Sequence, residues 1–244
     1  MEGIYEVLGY TISNFGKEKN GDSFLIEQLE NEGLLIAVVG DGVSQQPCDW
    51  LASSTTCQTL VDHFKKNISQ KGDIENRLLE SIQLTNKQIA LTEGICHKMA
   101  STLSVVVYSQ LSEKIYYANI GDSRIYSLYN GMLEQLTVDN TMVRREKVLT
   151  SAGMRLIDKP ILTQVIGQNS ISCKISVKPI QTHEIIILAT DGFYEARKAV
   201  FTKLMTEFGE TANFEEGFTK LIDQVKILRG DDLTAVAIKG VAAY

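Results

Sequence analysis

Four short acidic turns, each at the border of an apolar run, hold the side chains of this chain best suited to chemistry. They read VVGDGV (Val38 to Val43), NIGDSR (Asn119 to Arg124), LATDGF (Leu188 to Phe193) and RGDDLTAV (Arg229 to Val236); a fifth, NGDSF (Asn20 to Phe24), precedes them. An Asp at the end of a buried strand is held on a rigid element, so several such carboxylates can converge on one spot. Two of them ~4 Å apart repel by roughly 4 kcal/mol at an effective dielectric of 20. Converged carboxylates persist only if protonated or neutralised by cations. Hard oxygen donors suit Mg²⁺, Mn²⁺ or Ca²⁺ rather than zinc. The residue types therefore point to a carboxylate metal site.

Positioning such a site needs a substantial core, and 244 residues with 44% hydrophobic and 22% charged content supply one. A single domain spanning 1–244 is the simplest reading, with no repeat, low-complexity segment or Pro-rich linker. Net charge is −6, and no Lys/Arg cluster with interleaved aromatics occurs, which argues against a nucleic-acid partner. Lys65-Lys66 and Arg144-Arg145 read as solvated helix faces. Cys48, Cys57, Cys96 and Cys173 form no CxxC, and His63, His97 and His183 are scattered, so no zinc site is expected. Free thiols fit a reducing cytoplasm. The start of the chain does not resemble a signal peptide, and the longest apolar runs are strand length, so no membrane helix is expected.

Leu34 to Val39 and Ile185 to Ala189 are wholly apolar and read as strands buried on both faces. Ile4 to Ile12, Ser23 to Leu29, Thr102 to Ser109, Lys114 to Asn119, Ile171 to Val177 and Leu233 to Lys239 read as further strands. Asn130-Gly131 predicts a hairpin joining Ile125–Tyr129 to Met132–Leu136. Helical periodicity marks Asp49 to Asn67, Asp73 to Thr92, Val200 to Phe208 and Phe214 to Leu228, with Gly72-Asp73 as turn and N-cap. Thr141 to Ala152 is weakly helical. Trp50 reads as a core anchor and His63 as helix surface. Strands, a helix pair, many strands, a helix pair and a last strand predict an α+β fold with antiparallel sheets.

The acidic turns, in this order, resemble those of the metal-dependent type 2C Ser/Thr protein phosphatases, in particular the compact bacterial branch. The resemblance runs from about Ser13 to Ile238. It includes ASTLSVVV (Ala100 to Val107), and DNT (Asp139 to Thr141) and LTQVIG (Leu162 to Gly167) as anchors of the family's flap. It implies a β-sandwich of two antiparallel sheets flanked by pairs of antiparallel helices, with two Mn²⁺ or Mg²⁺ ions at one end. By the same resemblance Asp41 would bridge both ions, the Gly42 carbonyl would bind one, and Asp191 and Asp231 the other. Asp22 would orient metal-bound water, and Asp122 with Asp191 would form a weaker third metal site. The implied reaction is hydrolysis of phosphoserine or phosphothreonine by a hydroxide bridging the two ions. The implied partners are phosphorylated proteins, substrates of a Ser/Thr kinase, met by a monomer in the cytoplasm.

Three departures stand out. Lys17 occupies the place of the family's phosphate-gripping Arg, and Lys lacks the bidentate fork. Gly21 replaces an acidic or amide residue. VSQQPCDW (Val43 to Trp50) replaces a glycine-rich stretch, with Cys48 read as a structural thiol rather than a nucleophile. Asp232 reads as a turn residue beside the better ligand Asp231, and the segment between Asp139 and Leu162 is short for a flap. The alternative function is a catalytically weak module that binds metal or a phosphoprotein partner. A Ca²⁺-stabilised structural domain lacks an EF-hand loop.

Overall fold

The computed structural model describes residues 5–67, 73–150, 153–196, 200–227 and 229–240. Ile4, Gly72, Ala152 and Leu228, each at the end of an expected element or turn, lie outside them.

The two apolar runs become the centre of the architecture. β3 (Leu34–Asp41) lies between β2 (Asp22–Leu29) and β4 (Leu103–Ser109), and β11 (Ile185–Ala189) lies between β6 (Arg124–Tyr129) and β12 (Leu233–Gly240). With β1 (Tyr5–Ile12) and β7 (Met132–Gln135) the second group forms a sheet of order β1-β12-β11-β6-β7. With β5 (Lys114–Ile120) and β10 (Ser176–Pro179) the first forms a sheet of order β10-β5-β4-β3-β2. All of these pairings are antiparallel.

Strand periodicity divides each central strand between two cores. Leu35, Ala37 and Val39 meet Ile186, Leu188, Val236 and Ile238 between the sheets. Leu34, Ile36 and Val38 face the helix pair α1 (Asp49–Lys66) and α2 (Ile74–Ala90), which present Cys57, Leu60, Phe64, Leu78 and Ile82. On the opposite side Ile185, Ile187 and Ala235 pack under α4 (Phe201–Glu210) and α5 (Phe214–Lys226). Burying each such Leu, Ile or Phe contributes about 1.5–3 kcal/mol. The helix starts are set locally: Asp73 and Asn213 accept the N–H groups of Asn76 and Glu216, each at 3.0 Å.

Several expectations are corrected. The expected helix at Thr141 to Ala152 is instead β8 (Thr141–Thr150), paired along its length with β9 (Gly153–Leu162) as a two-stranded ribbon. Arg145 therefore lies on a strand, bonded to Asp158 directly across at 2.8 Å. Strand structure in the Ile171–Val177 stretch begins only at Ser176. Trp50 is not core: it is half-buried, with the Lys19 ammonium 3.8 Å from its ring centroid. His63 stays on the helix surface as expected, partly exposed and bonded to Gln88 of α2 at 3.2 Å. Two of the four expected free thiols are joined, Cys48 to Cys96, leaving Cys57 and Cys173 free. Closing a loop of 48 residues contributes about 4 kcal/mol in the chain-entropy description. No helix among the described residues is long and apolar enough to cross a membrane.

Candidate metal centre and cleft

Antiparallel pairing brings the acidic turns to one end of the sandwich. Asp22 opens β2 directly opposite Asp41, which closes β3, so the two side chains share a face. Asp122 lies in the turn between β5 and β6. Ala189, near the end of β11, pairs with both Arg124 and Ala235, so Asp191 and Asp231 arrive beside Asp122. Asp191 opens the short helix α3 (Asp191–Tyr194), which the sequence did not announce. The Asp-Gly pairs have a packing cause. A Cβ at Gly42 would lie 2.0 Å from the Asp49 carbonyl oxygen, and one at Gly192 would lie 1.8 Å from that of Asp232.

Asp41, Gly42, Asp122, Asp191, Asp231 and Lys17 all line one cleft of about 380 Å³. Asp22 lies beneath it, 6% exposed, and Asp231 is the most exposed of the acids. Lys159, Pro160, Ile161 and Leu162 of the ribbon form another part of the wall, and Thr102 and Gln168 also contribute. The sequence placed Thr102 and Leu162 in family-like segments but singled out none of Lys159, Pro160, Ile161 or Gln168. The Lys159 residue has no local signal, because only the pairing of β8 with β9 carries it to the cleft.

Burial, followed by the charges of Asp22, Asp191, Asp122 and Asp231, pushes the Asp41 carboxyl well above its usual range. Asp22 and Asp191 are each pushed from 3.8 up to about 7, first by burial and then by neighbouring carboxylates. Hydrogen bonds from Thr190 and Thr234 hold Asp22 lower than burial alone would set it. Asp122 is raised, chiefly by burial. Among the described residues no three His, Cys, Asp or Glu side chains already close on one point at metal-ligand spacing. They line an open cleft, in mutual repulsion. That uncompensated charge, on oxygen donors only, fits hard divalent cations.

A carboxyl whose folded pKa is raised favours the fold while it is protonated. The contribution of Asp22 and Asp191 is thus fully present below about pH 4 and is lost as pH rises through about 7. The metal-free protein is expected to melt higher at about pH 5.5 than at about pH 8, and added Mn²⁺ to raise Tm more at the higher pH. Calorimetric melting checks this; a metal-free Tm that climbs over this range contradicts it.

Around the acids runs a lattice of positioning contacts. Thr190 Oγ1 donates to Asp22 at 2.7 Å. The Asp41 N–H donates to Thr102 Oγ1 at 2.9 Å, and that hydroxyl also bonds Ser123 at 2.6 Å. Arg124 grips Asp139 through Nε and Nη2 and lies over the Tyr194 ring, whose hydroxyl donates to the Asp122 carbonyl at 3.0 Å. Asp232, expected as a turn residue, is 3% exposed and accepts from Lys17 Nζ at 2.6 Å, the Asn14 N–H at 2.6 Å and the Gly21 N–H at 2.7 Å. A side chain at Gly21 would start 2.9 Å from that carboxylate. Burial works against the Lys17 charge, but Asp232, with Asp231 and Asp49, outweighs it and raises its pKa.

Comparison with known proteins bears on the family and the fold. The Protein phosphatase 2C family model matches residues 16–226. The chain belongs to this family. It is 31% identical over 185 residues to "Serine/threonine phosphatase stp" of Listeria monocytogenes serotype 4b, covering 72% of this chain and 71% of that protein. It is 24% identical over 235 residues to "Putative protein phosphatase 2C-type" of Streptococcus pyogenes serotype M6, covering 93% and 94%. The fold is that of the solved S. agalactiae serine/threonine phosphatase, with a TM-score of 0.79 at 20% identity, covering 98% of this chain and 100% of that one. For the Mycobacterium tuberculosis phosphatase PstP/Ppp the TM-score is 0.73 at 16% identity, covering 98% and 99%. This type 2C fold carries its acids on strand ends, which is why the turns are legible and their partners are not.

Proposed function

We propose that the chain is a metal-dependent protein Ser/Thr phosphatase working at this cleft, with residues 1–244 acting as one domain. The observation that carries the reading is the convergence of Asp41, Asp122, Asp191 and Asp231 on one cleft inside a type 2C fold. Asp41, the Gly42 carbonyl, Asp191 and Asp231 would hold two Mn²⁺ or Mg²⁺ ions, and Asp122 with Asp191 a weaker third. When bound, the ions supply neutralising charge for a phosphomonoester dianion and lower the pKa of water. Asp22, fixed by Thr190, orients the attacking water from beneath the cleft. Lys17, on the wall, meets a phosphoryl oxygen as a point charge. Cellular phosphoproteins, products of a Ser/Thr kinase, are the substrates, and the enzyme acts as a monomer. The cytoplasmic setting no longer rests on four free thiols, since Cys48 and Cys96 are bonded.

The direct test is phosphate release from a phosphothreonine peptide by metal-stripped protein given back Mn²⁺ or Mg²⁺. Metal-dependent release supports the reading; metal binding without release on several phosphopeptides overturns it in favour of a catalytically weak binding module. One observation favours that second reading: Asp232 already engages the Lys17 charge. Lys17→Ala should raise KM about tenfold, the scale of one charge-assisted hydrogen bond, while Lys17→Arg holds or lowers it. An unchanged KM in Lys17→Ala removes Lys17 from the phosphate site.

A further inference from the structure

The Cys48–Cys96 disulfide connects the two segments that flank Asp41 and Gly42. Cys48 ends the Val43 to Cys48 lip, whose Ser44, Gln45 and Gln46 form part of the cleft wall. The next residue, Asp49, packs its carbonyl so tightly on Gly42 that a Cβ there would lie 2.0 Å away. On the other flank, shortly after Cys96, the Ala100 carbonyl accepts the Val43 N–H at 2.9 Å. The Thr102 N–H donates to the Asp41 carbonyl at 2.8 Å, and Thr102 Oγ1 accepts the Asp41 N–H at 2.9 Å. The disulfide therefore closes a ring whose far side is the Asp41–Val43 turn. The α1 N-cap has no side-chain hydrogen bond, the Asp49 carboxylate accepts the Trp50 N–H at 2.8 Å, and Cys48 has a left-handed φ of 59°, uncommon for a non-glycine residue.

We propose that Cys48–Cys96 is a thiol–disulfide exchange site that sets how tightly the Asp41–Gly42 turn holds its cations. Oxidised, the turn is fixed between α1 and the Ala100–Thr102 segment. Reduced, the lip and the first turn of α1 loosen, and metal affinity falls. The proposal rests on the metal reading of Asp41 and Gly42.

The other two cysteines do not compete. Burial pushes the Cys57 thiol up to about 12 and the Cys173 thiol up to about 11, leaving little reactive thiolate at neutral pH. Cys48 is half-buried, whereas Cys96 is 9% exposed, so Cys48 is the more accessible of the two. A dithiol reductant attacks Cys48 Sγ as a thiolate; a mixed disulfide forms, the Cys48–Cys96 bond breaks, and Cys96 leaves as a thiolate and takes a proton. The second thiol then displaces Cys48, which is protonated in turn, and the reductant departs as its own disulfide. Two electrons and two protons pass from the dithiol to the protein.

The test compares the full chain, oxidised and after dithiothreitol with anaerobic removal of the reductant, by calorimetric Mn²⁺ titration and amide exchange across residues 42–50. The folded protein should gain two thiols, exchange faster there, and bind Mn²⁺ about fivefold or more weakly, with recovery on reoxidation. Cys48→Ser should bind as the reduced protein does and ignore dithiothreitol; if that variant does not fold, the reduced wild type decides. A bond that resists dithiothreitol in the folded chain, or equal Mn²⁺ affinity in both states, overturns the proposal alone. Absence of Mn²⁺ binding even in the oxidised protein overturns the metal reading, and the proposal with it.

Discussion

Asp41→Asn is expected to lose phosphate release by about a hundredfold or more while raising the melting temperature of the metal-free protein. Changes to groups that merely support metal ligands already cost about 10–100-fold, and Asp41 is among the residues proposed to hold the ions directly. The stability effect has the opposite sign. Burial first, and then the charges of Asp22, Asp191, Asp122 and Asp231, hold the Asp41 carboxyl well above the usual range. A neutral amide of the same shape removes both the burial penalty on the charge and that repulsion. In a protein of this size each kcal/mol of relief raises Tm by about 2–4 °C. Malachite-green phosphate assays and melting in a chelator near pH 8 read the two effects. A metal-free variant that melts lower and still turns over with metal would contradict both the ligand assignment and its electrostatics.

Asp232→Ala should be strongly damaging although Asp232 is not a proposed ligand. Its carboxylate joins the Ser13–Lys17 loop, Gly21 and the last strand, and its removal leaves the Asn14 and Gly21 N–H groups without that acceptor. Breaking a buried pair costs about 3–5 kcal/mol. Because Lys17 is about one-third exposed, water replaces part of the loss, and about 2–3 kcal/mol is expected. That lowers Tm by about 5–10 °C. Turnover should fall as well, since Gly21 precedes Asp22 and its carbonyl accepts the Gly42 N–H at 2.9 Å. Asp232→Asn keeps an acceptor and should recover much of the stability. Equal melting of Asp232→Ala and wild type would show that the loops are held by other means.

The contrast between Asp231 and Asp232 shows what the sequence can carry. Two adjacent identical residues look alike in a string. Which one turns inward follows from the register of β12, where Ile12 pairs with Leu233 and Thr11 with Thr234. The strand runs around Asp41 and Asp191 were legible because each is apolar without interruption and both faces of it are buried. The Asn130-Gly131 hairpin was legible because both residues adopt positive φ, as that turn demands. The β8–β9 ribbon was not. Its strands are stabilised by each other across the pair, as at Arg145 and Asp158, and lack a buried face that would impose period two. The Cys48–Cys96 bond has no motif either; the pair is brought together by α1 and α2 packing on the sheet.

Burial of these carboxylates, together with their mutual repulsion, is expected to make the cleft a divalent-cation site. Calorimetric titration of Mn²⁺ into the metal-stripped, oxidised protein near pH 6.5, in buffers of differing ionisation heat, tests it most directly. Binding that releases protons, because Asp22 and Asp191, each raised to about 7, are partly protonated there, and that collapses in Asp41→Asn, is the predicted result. No binding, or binding of equal affinity in Asp41→Asn with no proton release, would contradict it.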